Sequence, residues 1–177
     1  MKFVLGAVLA SVLMTGSALA QPIAPPIQLP PAACTASQLE AGFVTSEGAA
    51  GTLFDTLQLT NVSGLSCTLN GFVTVQLLDA SNAPMPTINM PGGGMLSGFS
   101  GPSPFTLGPG QSSQFVLAWS DVPVGAETSC PEAAHLALTP PGAGGAVILD
   151  IPPPAVAPCN SGTVYTSAPR PPGVPAP

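Results

Sequence analysis

The sequence carries almost no charge. Of its 177 residues only 6% are charged, two basic (Lys2 and Arg170) against eight carboxylates, where an ordinary soluble domain has about 25%. Two cations leave no electrostatic footprint for nucleic acid and no polybasic patch for anionic lipid. Histidine, tryptophan and tyrosine occur once each, as His135, Trp119 and Tyr165. Zinc is disfavoured because the four cysteines form no C-x-x-C pair and have a single histidine to join them. A chain poor in Glu and Lys is no helical bundle or coiled coil. Long apolar runs are missing after the first 20 residues, so no later segment is expected to span a bilayer.

Proline (24) and glycine (20) are present in their place and make about a quarter of the chain. That composition borders on disorder, yet 45% of the residues are apolar, too many for a solvated coil. The prolines are clustered. Gln21 to Pro31 and Ala168 to Pro177 hold five each and read as polyproline-type segments, whereas those between them mostly punctuate apolar runs. The expected organisation is a signal peptide over 1–20, a Pro-rich linker over 21–33, a folded domain over 34–167 and a Pro-rich disordered tail over 168–177.

The signal peptide is read from three parts in order. Lys2 begins it, Phe3 to Met14 supply a 12-residue apolar stretch, and Ala18-Leu19-Ala20 presents a small-x-small cleavage site before Gln21. The apolar stretch is shorter than the roughly 18 residues of a membrane span, and no stop-transfer charges follow it. Cleavage removes Lys2 and takes the formal charge from -6 to -7, leaving a secreted or periplasmic protein with no integral membrane segment. Export places Cys34, Cys67, Cys130 and Cys159 in an oxidising compartment, where they should form two disulfides. Three connectivities are open to four cysteines. Neighbour pairing, Cys34–Cys67 and Cys130–Cys159, is favoured here; its loops of about 30 residues are each worth roughly 3–4 kcal/mol in the chain-entropy model.

Within 34–167 the apolar residues alternate with period two, the pattern of half-buried strands. In Cys67 to Leu78, Cys67, Leu69, Val73, Val75 and Leu77 share one face. Phe115, Leu117 and Trp119 alternate with Gln114, Val116 and Ala118, and shorter runs lie at 39–45, 56–60, 134–139, 146–151 and 162–167. About seven strands separated by Pro/Gly turns describe an antiparallel β-sandwich. Ala80 to Pro104 lacks alternation and reads as a long loop, a length found in functional or disordered segments.

The landmarks come in a characteristic order. Cys34-Thr35-Ala36-Ser37-Gln38-Leu39 is followed by Gly48-Ala49-Ala50-Gly51, Leu57-Gln58-Leu59-Thr60-Asn61 and Cys67-Thr68-Leu69-Asn70-Gly71-Phe72. Leu107-Gly108-Pro109-Gly110-Gln111-Ser112, Trp119, Cys130, Thr139-Pro140-Pro141-Gly142 and Cys159-Asn160-Ser161-Gly162 complete the series. This order resembles the domain of unknown function 4232 family over residues 34–167, with Phe72-Val73 where the family usually has Tyr-Pro. The resemblance implies an all-β, immunoglobulin-like sandwich, export and a bacterial source, and it carries over no catalytic residue.

Few residues offer chemistry. His135 has no G-x-S-x-G elbow to serve, so a hydrolase is a distant alternative and His135 is expected on the polar face of its strand. Met85, Met90 and Met95 recur every five residues in a Pro/Gly stretch and make a soft-metal (copper) site the first alternative, set against a simple role as adaptable apolar packing. Trp119 and Tyr165 have faces that can stack on sugars, although the core is the expected home of Trp119. Asn61-Val62-Ser63 is a formal glycosylation sequon. Phe99 and Phe105, in the long loop, are the candidate partner-facing residues. The expectation is a non-enzymatic envelope module without a cofactor, contacting an envelope or extracellular protein or glycan through the 80–104 segment.

Overall fold

Period-two burial organises the whole chain. The computed structural model describes residues 29–153, 155–171 and 173–174; the expected signal peptide, most of the expected linker and the last residues of the expected tail lie outside them. Ten strands form among the described residues: β1 (Leu39–Ala49), β2 (Thr52–Asn61), β3 (Cys67–Leu69), β4 (Thr74–Leu78), β5 (Ile88–Pro91), β6 (Phe105–Leu107), β7 (Ser112–Ser120), β8 (His135–Thr139), β9 (Val147–Asp150) and β10 (Thr163–Thr166). One layer is a five-stranded sheet ordered β1-β2-β7-β10-β5, antiparallel except for the parallel β10–β5 pair. The other comprises β4-β8-β9 and the ribbon β3-β6. Leu57, Phe115, Leu117 and Trp119 from the first layer meet Val75, Leu77, Leu136 and Leu138 from the second, with Leu69 and Leu107 of the ribbon, in one core. The architecture is an immunoglobulin-like β-sandwich with more strands than the seven expected.

Three departures from the sequence expectation have clear causes. The alternating run 67–78 is two strands in different sheets, because Gly71, with a φ of 134°, breaks the chain between them. All five alternating residues are nevertheless buried; alternation reports which face is inward, not which neighbour a strand pairs with. Segment 80–104 is an ordered strap rather than an open loop. It pairs with β10 through β5, and Leu96 in its short 3-10 turn is fully buried against Val116 and Ala118 on the outer face of β7. Side chains join the strap to β4, since Asn89 both donates to and accepts from the Val75 backbone and Thr87 Oγ1 accepts from Leu77 N. Finally, the ordered domain is wider than 34–167. Thr68 N donates to Ala32 O, while Arg170 N donates to Gln114 O and Ser113 Oγ to Arg170 O.

Among the buried polar side chains, Asp55 and Asn61 are fully paired, whereas the Thr166 hydroxyl on β10 has no hydrogen-bond partner. Asp55 is buried on β2, where Trp119 Nε1 donates to one carboxylate oxygen at 2.8 Å and Ser46 Oγ to the other at 2.6 Å. Asn61 is also buried. Its amide nitrogen donates to Leu65 O and Leu107 O and its oxygen accepts from Ser63, so the sequon side chain is sealed into the fold. Replacing Asp55 by Ala orphans the indole N–H in an apolar interior. We expect the variant to lose about 2–3 kcal/mol in urea unfolding without a change in m. A loss below about 0.5 kcal/mol would show that the pair is not holding β2 to Trp119.

Candidate functional site

At one end of the sandwich the chain must reverse into β10, and it does so through a turn of unusual hand. Asn160, Ser161 and Gly162 take φ values of 55°, 58° and 74°. Asparagine and glycine enter this region readily, but a serine there is strained. Gly162 is required for a second reason: a Cβ would collide with the carbonyl oxygen of Pro86. Consecutive left-handed residues aim their N–H groups together and form a cradle for an anion. The cradle is filled from within the chain, with Asn160 N donating to Glu127 Oε2 at 2.8 Å and Ser161 N to Oε1 at 2.7 Å. These two N–H groups, Ser161 first, hold the Glu127 carboxyl below the usual carboxylate range. The Cys130–Cys159 disulfide ties the same two segments covalently.

Two recesses flank this turn. On one side is a cleft of about 210 Å³ lined by Leu77, Met85, Pro86, Glu127, Pro131 and Gly162, among others. On the other, a smaller recess of about 80 Å³ is bounded by Met95, Val122, Val124, Thr163 and Tyr165. Registry extends that side into a patch, because Tyr165 stands beside Met90 and Thr163 beside Ile88 on the outer face of the sheet. Ile88, Met90, Val122 and Val124 are 43–50% exposed. Gly94 lies directly against the Tyr165 ring, where a Cβ would clash.

The residues singled out by sequence are dispersed. Cys34 is bonded to Cys67 and Cys130 to Cys159. Met85 packs on the main core, Met95 against the outer cluster of Leu96, Val116 and Ala118, and Met90 is exposed on β5, so a spacing of five does not gather three sulfurs at one point. Phe99 packs onto the outer cluster and Phe105 onto the main core; the exposed apolar residues of the strap are Ile88 and Met90 instead. Trp119 is in the core and Tyr165 on the outer face. His135 Nδ1 lies 2.7 Å from Asp150 Oδ1. Asp150 is exposed, and no hydroxyl hydrogen-bonds to the pair among the described residues. Nothing in the sequence distinguishes Glu127 from the other scattered carboxylates, and the one sequence signal of the left-handed turn is Asn-Ser-Gly directly after Cys159.

The Glu127 contact has a pH signature. A lowered carboxyl contributes stability above its ordinary value, about 4.3, and loses it as pH falls through the lowered folded value. Asp79, lowered by the Ser81 hydroxyl and then by the Ala83 N–H, acts with the same sign. Wild-type Tm should therefore fall between about pH 5 and pH 2, and Glu127→Gln should flatten that fall while starting from a lower Tm at neutral pH. Parallel wild-type and variant curves would mean that the carboxylate contributes nothing to the folded state.

No curated protein and no solved structure matches the chain. Among the described residues, no helix is long and apolar enough to cross a membrane, and two disulfides fit an oxidising compartment. A family model does match, over residues 34–169, and it covers the sandwich, both disulfides and the left-handed turn. The chain therefore belongs to the family described as domain of unknown function (DUF4232).

Proposed function

We propose that the protein is an exported, non-enzymatic recognition module of the bacterial cell envelope, which contacts a protein partner through the apolar patch around Tyr165. The observation that carries this reading is the contiguity of Ile88, Met90, Met95, Val122, Val124 and Tyr165 at one end of the outer face. Scattered exposed apolar residues need no explanation, but a joined patch on strap and loop is the usual form of an interaction site. The patch uses the 80–104 segment and the neighbouring 121–125 turn. Its chemistry is apolar and aromatic, with no cation to steer an acidic partner and little charge to disfavour burial at an interface. The same poverty supports a role without catalysis: the one histidine is hydrogen-bonded to the exposed Asp150 carboxylate, and no hydroxyl hydrogen-bonds to that pair among the described residues.

The copper reading loses ground on geometry, since the three methionines divide between the two faces of the five-stranded sheet and its edge. Deleting 80–104 would remove β5 and Leu96 and is a poor test. Surface charges are cleaner. Met90→Glu and Val124→Glu, at exposed positions, should leave far-UV circular dichroism unchanged and reduce capture of a defined envelope protein by about tenfold each. Retained capture by both folded variants would move the contact surface elsewhere.

A further inference from the structure

The two disulfides differ sharply in their surroundings. Cys34 and Cys67 are 0% and 1% exposed and belong to the main core. Cys159 is likewise 1% exposed, but its partner Cys130 is only partly buried and sits at the end of a loop, 121–129, whose residues are exposed apart from the partly buried Glu127. That loop is held lightly. Besides the disulfide, its hydrogen bonds to the rest of the fold are few: Asp121 N donates to Gly51 O, Val122 N to Ser120 Oγ, and the Asn160 and Ser161 N–H groups to the Glu127 carboxylate. The turn it clamps is strained at Ser161. A partly exposed cysteine, a loop with few contacts and a strained clamped turn make a local opening that need not disturb the core.

We propose that Cys130–Cys159 is a thiol–disulfide exchange site, attacked at the Cys130 sulfur by an external dithiol, and that its reduction releases the 121–131 loop from the Asn160–Gly162 turn. The direction of attack follows from access. A thiolate reaches Cys130 Sγ, forms a mixed disulfide there and expels Cys159 as the leaving thiolate, which takes a proton. The second thiol of the reductant then attacks the mixed disulfide and frees Cys130. Two electrons and two protons pass from the dithiol to the protein, and the reductant leaves as its own disulfide. Release has consequences on both sides of the turn. The cleft at Met85 and Pro86 loses the wall formed by Glu127, Ser129 and Pro131, and Val122 and Val124 leave the Tyr165 recess. Glu127 is the non-covalent half of the latch, and after reduction it slows the release of the turn without preventing it.

Graded dithiothreitol on the folded full chain, followed by alkylation and peptide mass mapping, tests it. Cys130 and Cys159 should be alkylated at reductant concentrations about tenfold or more below those needed for Cys34 and Cys67, with far-UV circular dichroism unchanged. At that stage limited proteolysis should cut within 121–131 and leave the oxidised protein intact, and Glu127→Gln should accelerate the cut in the reduced protein about threefold. Simultaneous reaction of both pairs, prior reaction of Cys34–Cys67, or collapse of the spectrum when Cys130 and Cys159 alone are modified would each overturn the proposal. So would a loop that resists protease after reduction, or a Glu127→Gln protein cut no faster than wild type. A double Cys130→Ser/Cys159→Ser variant supplies the released state without reductant, and it should keep the wild-type spectrum while being cut in the same loop.

Discussion

Strand β7 is the member on which the rest of the structure depends. Its odd residues, Phe115, Leu117 and Trp119, face the sandwich core, and its even residues, Val116 and Ala118, lie under Leu96 of the strap. Burial on both faces is unusual for a strand of an antiparallel sandwich, whose outer face normally meets water. It requires that something cover the outside, and that something is the 80–104 segment. With only one ion-pair contact among the described residues, His135–Asp150, such burial replaces the charge networks that other domains spread over their surfaces. The chain's Pro- and Gly-rich composition becomes intelligible in the same terms. Glycine lets the strap approach Tyr165 closely, and proline keeps the linking segments from becoming further sheet.

The two crosslinks divide the work. Cys34–Cys67 lies in the core beside the β3–β6 ribbon and ties the entering chain to the sandwich, reinforced by the Ala32 and Cys34 backbone bonds to Thr68. Cys130–Cys159 lies at the rim, where it acts with the Glu127 carboxylate on a turn that would not keep its left-handed shape unaided. Strain held by peripheral contacts is characteristic of sites that change, whereas strain-free burial is characteristic of scaffolds. The proposed recognition patch and the proposed exchange site meet at this rim because both need atoms that the core leaves free.

Much of the interior could be read in one dimension. Cys67, Leu69, Val73, Val75 and Leu77 are buried as their alternation predicts, and so are Phe115, Leu117 and Trp119. The candidate site was far less legible. The spacing of Met85, Met90 and Met95 invited a shared site, yet one residue more or less of extended chain moves a side chain to the opposite face, and the strap bends between them. Phe99 and Phe105 looked like exposed loop residues because nothing near them alternates; their partners, Leu96 with Val116 and the main core, come from the strap's own turn and from distant strands.

By itself, then, the sequence determined an all-β sandwich, the inward residues of the runs 67–78 and 115–119 and a composition poor in His, Lys and Arg, since these follow from local periodicity and residue counts. Only the tertiary structure decided that the run 67–78 serves two sheets, that the 80–104 segment covers β7, and that Glu127 fills a cradle at Asn160 and Ser161. The physical reason is range. Alternation is a property of neighbouring residues, whereas pairing, coverage and the 33-residue reach from Glu127 to Asn160 depend on where the folded sheets bring distant segments.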